Sequence, residues 1–180
     1  VLYAFGFDRV GVVVSDLYFV DPSPNPGQEG AEHGVRLEVR LLEREALQGS
    51  VYSAQPIGIG RPVWRADLLE RIESEPGSFD RTHHHPQFTG WEPGSREFEP
   101  AMSADPITFV GEQLADLPLL LKRAGIDDAD HGADDAVALR SALPEILDAT
   151  RRLLERVQRG ELGRAPGDAR DLVSARIGWL

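Results

Sequence analysis

The sequence predicts an α+β fold in which an antiparallel sheet from the N-terminal half is covered by helices from the C-terminal half. Three observations predict it. Val35, Leu37, Val39 and Leu41 alternate with Arg36, Glu38 and Arg40, the period of a half-buried strand. Further β-branched runs punctuated by Gly and Pro fill residues 1–104, whereas leucine recurs at helical spacing from Asp105 onward. Strands first and helices second is the pattern of segregated layers. A chain of 180 residues is long enough to bury one good core, so it reads as a single domain, mainly β over 1–104 and mainly α over 105–180.

The elements follow in order. Val10, Val12 and Val14, then Leu17 to Val20, form two short strands or one bent strand around Ser15-Asp16. Pro22, Pro24, Pro26, Gly27 and Gly30 make Asp21 to Gly30 a loop. Past Gly49, Ser50 to Ile59 reads as a strand forming a hairpin with the one before it. Beyond Pro62, an extended chain puts Trp64, Ala66 and Leu68 on one face and Arg65 and Asp67 on the other; a helix starting near Ala66 competes. Pro86 disfavours the helical region for His85, so Phe79 to His85 is expected to extend, with Arg81, His83 and His85 on one side and Asp80, Thr82 and His84 on the other. Asp105-Pro106 is an N-cap and N1 pair opening a helix striped by Ile107, Val110, Leu114, Leu117 and Leu121, which Pro118 should kink or restart before Gly125. The acidic stretch Asp127 to Asp135 reads as a solvated connector with an Asp helix cap. Ala136 to Arg159 reads as helix divided at Pro144 and ended by Gly160, and a last short helix is expected from Asp168.

Composition narrows the function classes. A net charge of −11 argues against an extended nucleic-acid surface, which needs clustered Lys and Arg. The absence of cysteine excludes disulfides, thiolate metal sites and Cys nucleophiles. The opening segment lacks a basic n-region and no stretch has the length of a membrane span, so a cytoplasmic protein with no membrane partner is expected. No P-loop, Gly-x-Gly-x-x-Gly, Gly-x-Ser-x-Gly or His-Glu-x-x-His motif is present. Asp128 to Asp135 does not fit a calcium loop, because Gly132 falls at the fifth position and no Glu stands at the twelfth.

The chemistry concentrates between Phe79 and Gly94, which holds three of the five histidines. His83 and His85, two apart on a strand, project to one side about 7 Å apart, a separation that suits a shared metal ion. Asp67, Asp80, His84 or Glu92 would supply the third ligand, and Asp67 is the preferred choice. The cupin pattern is absent, since Thr89 and Gly90 stand where its Glu would fall. A metal-free alternative uses the imidazoles as acid and base and the arginines as anion contacts. Both readings rest on Arg65, Asp67, Arg81, His83 and His85, with Asp67 orienting an imidazole. Structural Arg–Asp pairing and surface histidines explain the same residues without a ligand. Trp91, between two glycines, either lids a pocket or plugs the edge of a small core, and the plug is preferred.

The order Arg36-Leu-Glu-Val-Arg40, Ser50-Val-Tyr-Ser53, Arg65-Ala-Asp67, His83-His-His-Pro86 and then a leucine-rich helix resembles TumE-like toxins of bacterial toxin–antitoxin systems over residues 35–125. The resemblance implies a compact α+β fold and a growth-inhibiting activity of ribonuclease type. Trp64-Arg-Ala-Asp-Leu-Leu-Glu70 and His83-His-His-Pro86 with Gly90-Trp-Glu-Pro-Gly94 resemble segments of actinobacterial proteins of unknown function. The expectation is therefore a His/Arg/Asp cleft that binds a divalent metal or a small anionic ligand, with hydrolysis of a bound anionic ligand as a further option left open. The alternative is a non-catalytic interaction or homo-oligomerisation module whose leucines pack on a partner.

Overall fold

The computed structural model describes residues 1–126 and 133–166. β1 (Leu2–Gly6), β2 (Val10–Val20), β3 (Ala31–Arg44), β4 (Ile57–Arg71) and β5 (His83–His85) form one antiparallel sheet in chain order. A small ribbon, β6 (Phe88–Thr89) with β7 (Glu92–Pro93), follows β5. Helices α1 (Pro100–Ala104), α2 (Pro106–Ala115), α3 (Leu117–Arg123) and α4 (Ala133–Gln158) complete the described chain. The fold is α+β. No helix among the described residues is long and apolar enough to cross a membrane.

Strand parity divides the sheet into two chemically distinct faces. Val12, Val39 and Trp64 lie in one cross-strand row, and Val14, Leu37 and Ala66 in the next. All six are buried and share a core with Val110, Leu114, Leu139, Ile146 and Leu153 from the helices. Each such Leu or Val contributes roughly 1.5–3 kcal/mol of transfer free energy. The opposite face is polar. Ser15, Arg36, Asp67 and His83 are aligned across β2 to β5, and Val13, Glu38, Arg65 and His85 form the adjoining row. Opposite charges therefore face each other directly at Arg36/Asp67 and Glu38/Arg65, the favourable cross-strand arrangement.

Capping follows the sequence. Asp105 accepts a hydrogen bond from the Thr108 amide with Pro106 at the start of α2, and Asp116 accepts from the Leu119 amide with Pro118 in the first turn of α3. Pro118 thus restarts the helix. Gly34 sits at φ 155° where β3 passes close to β4; a Cβ there would lie 2.0 Å from the Leu68 carbonyl oxygen.

Several expectations are corrected. Of the two readings for Val10 to Val20, the single strand is the one formed, as β2. Ser50 to Pro56 is not a strand: it turns through a Ser53–Ser50 backbone bond and leaves Val51 and Tyr52 exposed, so their β-propensity has no buried face to act on. The helical alternative from Ala66 is replaced by the long strand β4. Phe79 to Thr82 turns, with Phe79 at φ 47° and the Thr82 amide bonded to the Phe79 carbonyl, so only His83 to His85 extends. Pro144 does not divide α4. It lies on the exposed side, while Leu139, Ile146 and Leu153 pack on both sides of it. Asp135 is not a solvated connector residue: it is buried in the first turn of α4 and accepts from the Asp8, Arg9 and Val10 amides at 2.8, 2.9 and 3.0 Å. The connector from Asp127 to Gly132 and the helix expected from Asp168 lie outside the described residues.

Candidate functional site

The polar face of the sheet carries a cavity of ≈ 360 Å³ that Asp67 helps to line. Asp67 is 1% exposed, and its carboxylate is held by guanidiniums from two strands. Arg36 Nε donates to Oδ1 at 2.6 Å and Arg36 Nη2 to Oδ2 at 3.2 Å, while Arg65 Nε lies 3.1 Å from Oδ2. Burial opposes ionisation of Asp67, but Arg36, Arg65 and the adjacent His83 outweigh it and hold the carboxyl well below its usual range. The anion is thereby fixed in place.

The two imidazoles are oriented by backbone carbonyls. His83 Nδ1 donates to the Arg81 carbonyl and His85 Nδ1 to the Gly94 carbonyl, each at 2.8 Å. A carbonyl only accepts, so both Nδ1 atoms carry hydrogen and both rings turn their Nε2 atoms the other way. These Nε2 atoms face Asp67 Oδ2, at 3.4 Å from His83 and 3.7 Å from His85. His85 Nε2 is buried and has no hydrogen-bond partner. Burial, followed by the Arg65 charge, lowers the His85 pKa to about 4, so this ring is neutral at neutral pH. The rings meet edge to face, 5.1 Å between centroids.

Two imidazole nitrogens and a carboxylate oxygen thus converge on one point. Metal–ligand bonds of about 2.0–2.1 Å set tetrahedral ligand–ligand edges of about 3.3 Å, close to both Nε2–Oδ2 separations. All three ligand atoms lie within 4.8 Å of one another. Two imidazoles and one carboxylate could hold a divalent transition metal, and carbonyl bonds to Nδ1 are contacts of the kind that orient such ligands.

The cavity is also cationic. Arg36, Arg65 and Arg96 line it against the single carboxylate of Asp67. Arg96 is aimed by Asp21 at 2.9 Å and Gln28 at 3.2 Å, both from the loop between β2 and β3. Arg65 is stripped of water by burial, which lowers its pKa despite Asp67, and its Nε makes no well-formed hydrogen bond. The β6–β7 ribbon bounds the opening. Pro93 and Gly94 line it, Phe88 lies 5.6 Å from the Arg65 guanidinium carbon, and Trp91 lies 5.4 Å from that of Arg40.

Of the residues singled out from sequence, Arg65, Asp67, His83 and His85 come together and Arg81 does not line the cavity. Its guanidinium donates to the Gly27 carbonyl at 2.8 Å and lies 3.6 Å from Glu32, because the turn before β5 carries it over the β2–β3 loop. Arg81 serves the site through its backbone carbonyl on His83. Asp80 is occupied by Arg71 and Ser74, Glu92 is exposed on the ribbon, and His84 faces the helices, so none is the third ligand. Trp91 is 54% exposed and lies against Arg40, so it is no core plug.

Sequence reasoning missed Arg36 and Arg96. Arg36 had a signal: Arg36-Leu-Glu38 run antiparallel to Arg65-Ala-Asp67 sets opposite charges face to face. Arg96 had none, since a loop distant in sequence aims it. No protein-family profile, curated protein or solved structure matches this chain.

Proposed function

We propose that the cleft binds a divalent transition-metal ion through His83, His85 and Asp67 and uses it to hydrolyse an anionic ester, with a phosphoester as the substrate class. The observation that carries this reading is the pair of Nδ1–carbonyl bonds, which aim two imidazole Nε2 atoms at one carboxylate oxygen in a buried place. With both rings neutral, two imidazole lone pairs would face Asp67 Oδ2, an arrangement that a metal ion between them stabilises. Arg36 occupies the outer side of Asp67 and keeps it ionised and aligned. Arg65 and Arg96 are the contacts for the substrate's negative oxygens, a role that suits planar guanidiniums. The metal would supply Lewis-acid activation of water and of the phosphoryl oxygen.

The test is a Co(II) titration of chelator-treated, untagged protein, beside the His83→Ala/His85→Ala variant, together with cleavage of an activated phosphodiester. Binding and metal-dependent cleavage that disappear in the variant support the reading. Metal affinity at the cleft unchanged by the double substitution overturns it. The three guanidiniums favour a second reading, a metal-free ribonuclease-type cleft like that of the TumE-like toxins, with the imidazoles as acid and base. RNA cleavage that persists in chelator and is lost in the same variant would select it.

A further inference from the structure

Three consecutive histidines on an extended strand cannot share a face. His83 and His85 turn to the cleft, and His84 turns to the helix side, where it lines a second cavity of ≈ 350 Å³. His84 is 7% exposed, yet neither of its ring nitrogens has a hydrogen-bond partner. Buried polar groups are paired in the great majority of cases, so this imidazole lacks something its surroundings do not provide. Phe109 meets it edge-on at 5.4 Å and Trp64 stands 6.2 Å away. Neither ring offers an acceptor.

The neighbouring carboxylates are placed by the backbone. Glu97 pairs with His84 through two hydrogen bonds, Glu97 N to His84 O at 2.9 Å and His84 N to Glu97 O at 3.0 Å. Directly paired residues present their side chains to the same face. Glu97 Oε2 consequently stands 3.6 Å from His84 Nε2, too far for a hydrogen bond and close to the edge of a metal coordination shell. Glu99, immediately before α1, lines the same cavity, and one ligand atom from each of His84, Glu97 and Glu99 falls within 4.8 Å of the others.

We propose that His84, Glu97 and Glu99 form a second divalent-metal site, separate from the cleft on the opposite face of β5. One imidazole and two carboxylates select an ion of the zinc, manganese or iron class over calcium or magnesium, whose shells are built from oxygen alone. The aromatic walls seal the imidazole side. The half-exposed Glu97 leaves the opposite side open to water or to a ligand from solution. The site does not depend on the cleft's chemistry, since the two share no ligand.

The test separates the sites by stoichiometry. In the His83→Ala/His85→Ala background, chelator-treated full chain titrated with Co(II) is expected to retain about one equivalent with a visible absorption band. Adding Glu97→Gln and Glu99→Gln is expected to weaken that binding by about tenfold or more, the scale on which coordination changes act. Both glutamates are exposed, so these substitutions leave the fold intact where His84→Ala would open a cavity beside Trp64; circular dichroism checks this. No binding in the cleft-deficient background, or affinity within about twofold after the glutamate changes, overturns the proposal.

Discussion

Arg36 faces Asp67 across the β3–β4 ladder and grips its carboxylate with two donors, Nε at 2.6 Å and Nη2 at 3.2 Å. The pair fixes the charge of a buried carboxylate, so removing Arg36 costs more than the pair itself contributes. Arg36→Met is expected to lower stability by about 3 kcal/mol, measured by urea unfolding near neutral pH. The pH dependence follows in sign. Asp67 titrates lower in the folded chain than in the unfolded one, so its contribution is present above an unfolded value of about 3.9 and is lost as pH falls through the folded value. In Arg36→Met the loss should begin at a higher pH. A variant within about 0.5 kcal/mol of the parent, the range of ordinary surface changes, would contradict the role assigned to this pair.

His85 governs a different pH window. Its folded pKa of about 4 lies below the ordinary histidine value of 6.5, so between those limits the unfolded chain binds a proton that the fold refuses. Stability should therefore fall as pH drops from 6.5 toward 4, by up to roughly 3 kcal/mol from this residue. His84, also lowered by burial, adds a slope of the same sign. The comparison that isolates His85 is metal-free parent against His85→Gln, whose urea midpoint should vary less across that range. Equal slopes would remove His85 as the cause.

Asp135 ties α4 to the turn between β1 and β2 by accepting three successive amides. Asp135→Ala leaves those donors facing a methyl group and is expected to cost about 3 kcal/mol or more, since charged hydrogen bonds contribute roughly 1.5–3 kcal/mol each and are not additive. Asp135→Asn, which keeps one acceptor oxygen, should fall between the two. Thermal unfolding of the three proteins checks the order.

Arg96 and Arg81 make opposite predictions although both are arginines beside the histidine strand. Arg96 lines the cavity and Arg81 is spent on Gly27 and Glu32. Arg96→Met is expected to weaken binding of inorganic phosphate about tenfold, the loss of roughly 1.4 kcal/mol typical of a charge-assisted bond. Arg81→Met should change it by less than about twofold, a shift below the thermal energy scale. Calorimetric titration distinguishes them, and a larger effect at Arg81 would relocate the anion site.

The sheet was legible in the sequence where apolar and polar residues alternate, as from Val35 to Leu41 and from Trp64 to Leu68. It was illegible from Ser50 to Pro56, where Val51 and Tyr52 have the right propensities but project into solvent. Pro144 shows the same limit for helices: packing on both sides of an exposed proline outweighs its local cost. At the site, strand parity sufficed to place His83, His85, Arg65 and Asp67. Arg81 broke that parity argument because Phe79 takes a left-handed conformation that nothing in its side chain advertises. Arg96 depended on where a proline-rich loop folds back, which local sequence does not encode.

The segment between Arg71 and His83 sets a reading frame for the edge of the sheet. Surface loops ordinarily absorb insertions and deletions at small entropic cost, but β5 is only three residues long and its ladder repeats every two. A slip of one residue would place His84 opposite Asp67, turn His83 and His85 against Phe109 and Trp64, and bring Thr82 and Pro86 to the cleft side. Two imidazoles would then lie among aromatic rings, and one would remain beside the carboxylate. The length of that loop is therefore as much a determinant of the chemistry as the histidines it delivers.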